Sequence, residues 1–179
     1  LAANGTVLYM MNHSLVKLSL FLFAGVVYYN THALDLNDIK GFGRKKPLLH
    51  VLFLCGACSL AGIPGFLGYL SKTLVHEALV EYAHMSGMTL ITVVEWLFLF
   101  SGGLTAAYLT KIYVAIFWQK GKEYGRQWGK PLSVIALCLA AVALPVLGLT
   151  PHAIAEKISG ATLDFTGGHA FDHAIHYFA

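Results

Sequence analysis

Charge is scarce in this 179-residue chain: Asp, Glu, Lys and Arg together make up 12% of it, about half the share of a typical soluble domain. A large solvated surface is therefore excluded. The formal net charge of +3 does not imply a polyanion-binding face either, because most basic residues fall in two short loops, and no nucleic-acid partner is expected. Cysteine is limited to Cys55, Cys58 and Cys138, all within apolar runs, where a disulfide framework would have no loops to staple. Also missing are a phosphate-cradling glycine loop, a nucleophile elbow and a zincin signature. No active site for covalent chemistry is visible, and no cofactor is expected. What is abundant is hydrocarbon: 57% of residues are hydrophobic and the mean hydropathy is +0.65, which points to a membrane protein. The chain begins at Leu1 directly in an apolar stretch, without a charged n-region or a small-residue cleavage site. It is expected to be a fragment of a longer polypeptide.

A helix needs about 20 residues to cross a ~30 Å hydrocarbon core, and four apolar stretches of that order are present. They run from Gly5 to Tyr29, from Pro47 to Tyr82, from Met88 to Trp118 and from Pro131 to Leu149. The second is too long for one straight crossing and is interrupted by Gly62-Ile63-Pro64-Gly65, where proline removes a backbone donor and glycine leaves helical angles freely. The spacing predicts an all-α membrane protein of about four transmembrane helices, the second broken at Gly62–Gly65. Residues 1–150 form the helical bundle, and residues 151–179 an interfacial or connecting amphipathic segment. Loop charge supports that count. Lys40, Arg44, Lys45 and Lys46 lie in the first loop and Lys120, Lys122, Arg126 and Lys130 in the third, while the turn at 83–87 has no Lys or Arg. Short-loop basic excess marks the cytoplasmic side, so loops 30–46 and 119–130 are predicted to be cytoplasmic in a multi-pass protein of the cell's inner (plasma) membrane.

Three lysines remain inside the apolar segments: Lys17, Lys72 and Lys111. Each costs roughly 2.5–3.5 kcal/mol at the centre of an inserted helix, so such residues face protein or water-filled cavities and mark ion pathways. Lys17 is about twelve residues from either end of its segment, beyond easy snorkelling. His13 stands four positions earlier, on the same helix face and about 5–6 Å away. Two positive charges at that distance repel by roughly 3 kcal/mol at an effective dielectric of ~20, so loading one site tends to unload the other, and desolvation makes such an ammonium easier to deprotonate. Lys72 follows the break by two turns in GIPGFLGYLSK. Freed carbonyls at a break must be satisfied by protein or water, and discontinuous helices beside ion sites recur in transporters. Lys111 is about two turns from the basic end of its segment, where it either serves the pathway or snorkels. Glu77 is an exit relay or an interfacial carboxylate, and His76 is in the same position; Glu95 sits early in the third segment. Cys55-Gly56-Ala57-Cys58 has a redox-motif spacing but reads as small-residue helix packing. His169, His173 and His176 beside Asp172 are the one candidate metal cluster, and no metal site is expected there.

At HSLVKLSLFLFAG, THALDLNDIKGFGRKKP and GIPGFLGYLSK, extending through FLFSGGLTAAYLTKIYVAIFW, the chain resembles the antiporter-like membrane subunits of respiratory complex I, of the L, N and M types. It resembles equally their relatives in multi-subunit cation/proton antiporters and membrane-bound hydrogenases. The resemblance implies the C-terminal part of a proton-translocating subunit without an active site of its own, partnered by other membrane subunits and the bilayer. It implies protons as the transported ion, with Na⁺ as the alternative. Under it His13 and Lys17 belong to a central hydrophilic axis, Lys72 is the lysine of the second broken helix, and Lys111 is a basic residue of the following helix. The rival from another class is a structural membrane scaffold, whose lysines would sit in dry carboxylate pairs.

Overall fold

The computed structural model describes residues 2–122, 124 and 131–150. The C-terminal histidines and the segment 151–179 lie outside the described residues. Five α-helices follow in order: α1 Ala2–Thr31, α2 Pro47–Ala61, α3 Leu67–Ser86, α4 Thr89–Tyr113 and α5 Pro131–Leu149. There is no strand among the described residues. Helix α4 continues as a π-helical turn, Val114–Trp118. Helix α1, the α4–π-turn helix and α5 are each long and apolar enough to cross a membrane. At 15 residues, α2 spans only about 22 Å at 1.5 Å per residue, too short alone for the hydrocarbon core. The second apolar stretch is thus two helices joined at a break, as its glycines and proline predict.

Helix α1 is the central strut, packing against α2, α3 and α5. Its buried stripe is Gly5, Leu8, Asn12, Val16, Ser19, Phe23, Val26 and Val27, spaced mostly by three or four so that one face meets its neighbours. Two apolar clusters result. The larger gathers Phe23, Phe53 and Phe117 with Leu49, Leu52 and Leu137, and its rings meet at tilted angles with centroids 5.0–6.1 Å apart, the arrangement aromatic quadrupoles favour. The smaller gathers Leu8, Leu67, Leu70 and Leu74 beside the break. Cys55 and Cys58 are free thiols on α2. Between them Gly56 lies close to Ser19 and Leu20 of α1, the small-residue packing the sequence suggests. The outward face of α4, with Leu90, Trp96, Leu97, Phe100 and Leu104, is exposed.

Backbones approach closely on both sides of the break. A methyl group added to Gly68, in the first turn of α3, would overlap the Ser59 carbonyl oxygen, so only glycine lets α3 start this close to the end of α2. From the other side, Gly148 of α5 approaches the backbone of Gly65 and Phe66 with no room for a side chain. Gly68→Ala is therefore expected to destabilise by about 3 kcal/mol, the upper range for overpacking. Gly103→Ala, with open space around it, should be neutral or slightly stabilising by helix propensity. Thermal melts of the two variants in detergent check the contrast.

Candidate functional site

The geometry at the break follows from how a helix ends. Its last four carbonyls lack intrahelical partners. Gly62, at φ +85°, takes the left-handed conformation that glycine adopts without a Cβ penalty. That turn brings the Gly62 N–H to the carbonyls of Cys58 and Ser59 and the Ile63 N–H to the carbonyl of Cys58 at 2.9 Å, a Schellman arrangement. It satisfies Cys58 and Ser59 and leaves Leu60 and Ala61. Lys72 reaches back from α3 and closes that gap: its Nζ donates to the Leu60 oxygen at 2.7 Å and to the Ala61 oxygen at 3.2 Å. The ammonium thus also sits at the negative end of the α2 dipole, a favourable place for a cation.

A second polar tie crosses the same region from α1. Asn12 is buried, and its Oδ1 accepts a hydrogen bond from the buried Ser59 hydroxyl at 2.7 Å. Its Nδ2 lies against Gly68. One buried side chain therefore touches both halves of the broken helix. The sequence offers little to single Asn12 out from its neighbour His13; the available signal is a lone amide in an apolar run. Next to it, His13 stacks on Tyr9 with ring centroids 6.1 Å apart, and its Nδ1 is buried with no partner among the described residues.

The other candidates are not gathered at this point. Lys17 follows His13 by one turn but is exposed, among exposed Met10, Leu18 and Phe21. Lys111 and Glu77 are exposed on α4 and α3. None of Lys17, Lys72 and Lys111 forms a carboxylate pair among the described residues. A pairing the sequence did not reveal joins α3 to α4: His76 Nε2 lies 3.1 Å from Glu95 Oε1. Both were visible singly, but only the α3–α4 turn at Gly87 decides which α4 residue faces His76.

A broken apolar helix whose loose carbonyls are held by a lysine, within a bundle of membrane-length helices, defines a multi-pass membrane protein with a charged group at its broken helix. The chain belongs to the NADH:quinone oxidoreductase/Mrp antiporter transmembrane family, whose pattern matches residues 1–98. Among curated relatives it is 30% identical to NAD(P)H-quinone oxidoreductase chain 4 1 of Synechococcus elongatus, over 82% of this chain and 28% of that protein. It is 33% identical to a Na(+)/H(+) antiporter protein of Alkalihalophilus pseudofirmus, over 91% of this chain and 34% of that protein. The fold matches a chain of respiratory complex I from Thermus thermophilus with a TM-score of 0.65 at 25% identity, covering 87% of this chain and 34% of that one. The chain spans about a third of the length of these relatives.

At the other end of α2 the basic loop docks onto the π-helical turn. The Gly41 N–H donates to the Ala115 carbonyl at 3.0 Å and the Gly43 N–H to the Ile116 carbonyl at 2.9 Å, so loop amides fill carbonyls that the end of α4 leaves open. His50, one turn into α2, stacks on Phe117 with centroids 4.5 Å apart and hydrogen-bonds the Tyr113 hydroxyl. Lys46 is buried, its Nζ lying 3.5 Å above the Phe42 ring centre without a hydrogen-bond partner among the described residues. Burial lowers its pKa from the ordinary 10.5 to about 8, a difference of roughly 3 kcal/mol in favour of the neutral form. Between pH 8 and 10.5 the folded protein has shed this proton while the unfolded chain retains it, so stability rises with pH across that window. Melting temperature measured against pH should show that rise in the wild type, and Lys46→Met should flatten it.

Proposed function

We propose that this chain is part of a proton-translocating, antiporter-like subunit of a complex I-type assembly. The observation that supports this most is the Lys72 ammonium held on the Leu60 and Ala61 carbonyls at 2.7 and 3.2 Å. A permanently structural cap could be met by any donor. A lysine offers one that can also release a proton, and its release weakens a charge-assisted bond into an ordinary one. In this reading protons move through water between His13, Lys17 and Lys72, with Lys111 and Glu77 as flanking members. Changes in neighbouring charge, supplied by a redox-active partner, move them on. Residues 1–150 form the membrane bundle of a larger antiporter-like domain, residues 151–179 an interfacial or connecting segment, and loops 30–46 and 119–130 face the cytoplasm. The membrane is the cell's inner membrane, and the other membrane subunits of the assembly are the partners. A second reading, a sodium/proton antiporter subunit, draws support from the 33% identity to the antiporter relative.

The test uses the full-length subunit in its assembly in membrane vesicles. Lys72→Ala and Lys17→Ala are expected to reduce proton transport to background while leaving partner-driven electron transfer partly alive, and Lys72→Arg serves as a control for assembly. Transport unchanged in both alanine variants rejects the proton reading. Transport that appears only with sodium present selects the antiporter reading.

A further inference from the structure

Beyond Lys72 the helix α3 continues away from the break toward the α3–α4 turn, and the next ionisable group on its Lys72 face is His76, four residues on. Cβ atoms at that spacing lie about 5–6 Å apart on one face. Ten residues separate His76 from the end of α3 at Ser86, about 15 Å of helix, so His76 lies between the lysine and the end that has no Lys or Arg. Its imidazole is 34% exposed and the Glu95 side chain 21%, sheltered but within reach of water. Few other charges compete at this level. Glu95 is the only acidic or basic residue in α4 before Lys111, and α5 has none at all. Helix α3 adds Glu77, Glu81, Tyr82 and His84 nearer its far end and Tyr69 near the break, α1 contributes Tyr9 and His13, and α2 offers the Cys55 and Cys58 thiols with His50 at its opposite end.

We propose that His76 and Glu95 form a relay pair that takes the proton from Lys72 toward the α3–α4 side of the membrane. This rests on the proton reading of Lys72 above. With Nε2–H donated to the Glu95 carboxylate, His76 keeps a lone pair on Nδ1. A proton leaving Lys72 Nζ through intervening water breaks an N–H bond there and forms one at Nδ1. The resulting imidazolium is stabilised by the carboxylate 3.1 Å away. The Nε2–H bond then breaks as an O–H bond forms on Glu95, and the carboxyl releases its proton to water; exchange with water restores the original tautomer of the ring. Each step moves one proton, and no other co-reactant is needed.

A merely structural pair is separable from a relay by the choice of variant. Glu95→Gln keeps an oxygen to accept the His76 N–H and keeps the volume, but cannot take up a proton; Glu95→Asp keeps the carboxylate. In the full-length subunit within its assembly, Glu95→Gln is expected to lower proton transport by about tenfold or more, in line with the loss of a positioned acid–base group. Glu95→Asp should restore a substantial part of it, and the pH profile of the residual Glu95→Gln transport should differ from the wild type's. Should Glu95→Gln fail to assemble, His76→Gln reads the same step with Glu95 intact. Wild-type rates and an unchanged pH profile in Glu95→Gln or His76→Gln overturn the relay. If Lys72→Ala is inactive while those two are unaffected, the relay alone fails; if Lys72→Ala itself transports normally, the proton reading fails with it.

Discussion

Backbone carbonyls released in an apolar medium need donors, and this requirement organises the described structure. A broken helix between apolar layers is possible only if its loose ends are met, because each unmet group costs several kcal/mol in hydrocarbon. At the end of α2 the left-handed Gly62 handles two carbonyls with backbone amides, and Lys72 handles the other two. At the end of α4 two loop amides do the same service. The positions of α3 and of the basic loop follow from these obligations, with Gly68 and Gly148 permitting the close approach of backbones that the hydrogen bonds require.

The two ends are solved with different chemistry, and the difference bears on function. Amides cannot change their charge, so the two bonds that hold the loop on the π-helical turn do not depend on a proton. An ammonium can. The tie across the break is strongest while Lys72 is charged, since a neutral amine still donates but loses the charge assistance. The state of one proton is thereby coupled to how firmly α3 is held against α2. The Asn12–Ser59 bond, which carries no titrating group, ties α2 to α1 whichever state Lys72 occupies.

Much of this was legible in the sequence. The four apolar stretches, the break at Gly62–Gly65 and the family all follow from runs and motifs that are local in the chain, and the structure and the comparisons agree on them. What was not legible was partnership over distance. The demand for donors at the break could be read from GIPG, but that Lys72 meets it depends on α3 folding back by one particular turn. His76 and Glu95 are nineteen residues apart, and no periodicity links residues on two helices joined at Gly87. Lys46 read as one more loop charge, because nothing in GRKKP indicates that its ammonium is buried over Phe42 while the loop docks.

The exposed Lys17 sets the remaining condition on any proton path. A lysine in the middle of α1 facing lipid would carry the full insertion penalty of roughly 2.5–3.5 kcal/mol with no compensating contact among the described residues. Its flank, with Met10, Leu18 and Phe21 also exposed, has the apolar-with-one-charge character of a helix surface that packs on protein. The relatives are about three times as long as this chain, so a subunit of that size has protein to place there. Lys72, His76 and Glu95 already lie within or beside the described bundle, whereas Lys17 lies at its edge. In the proposed reading, the residues that run from the break toward the α3–α4 turn therefore need no further helix to bring them together, whereas Lys17 depends on whatever packs against its face of α1 and brings water to it.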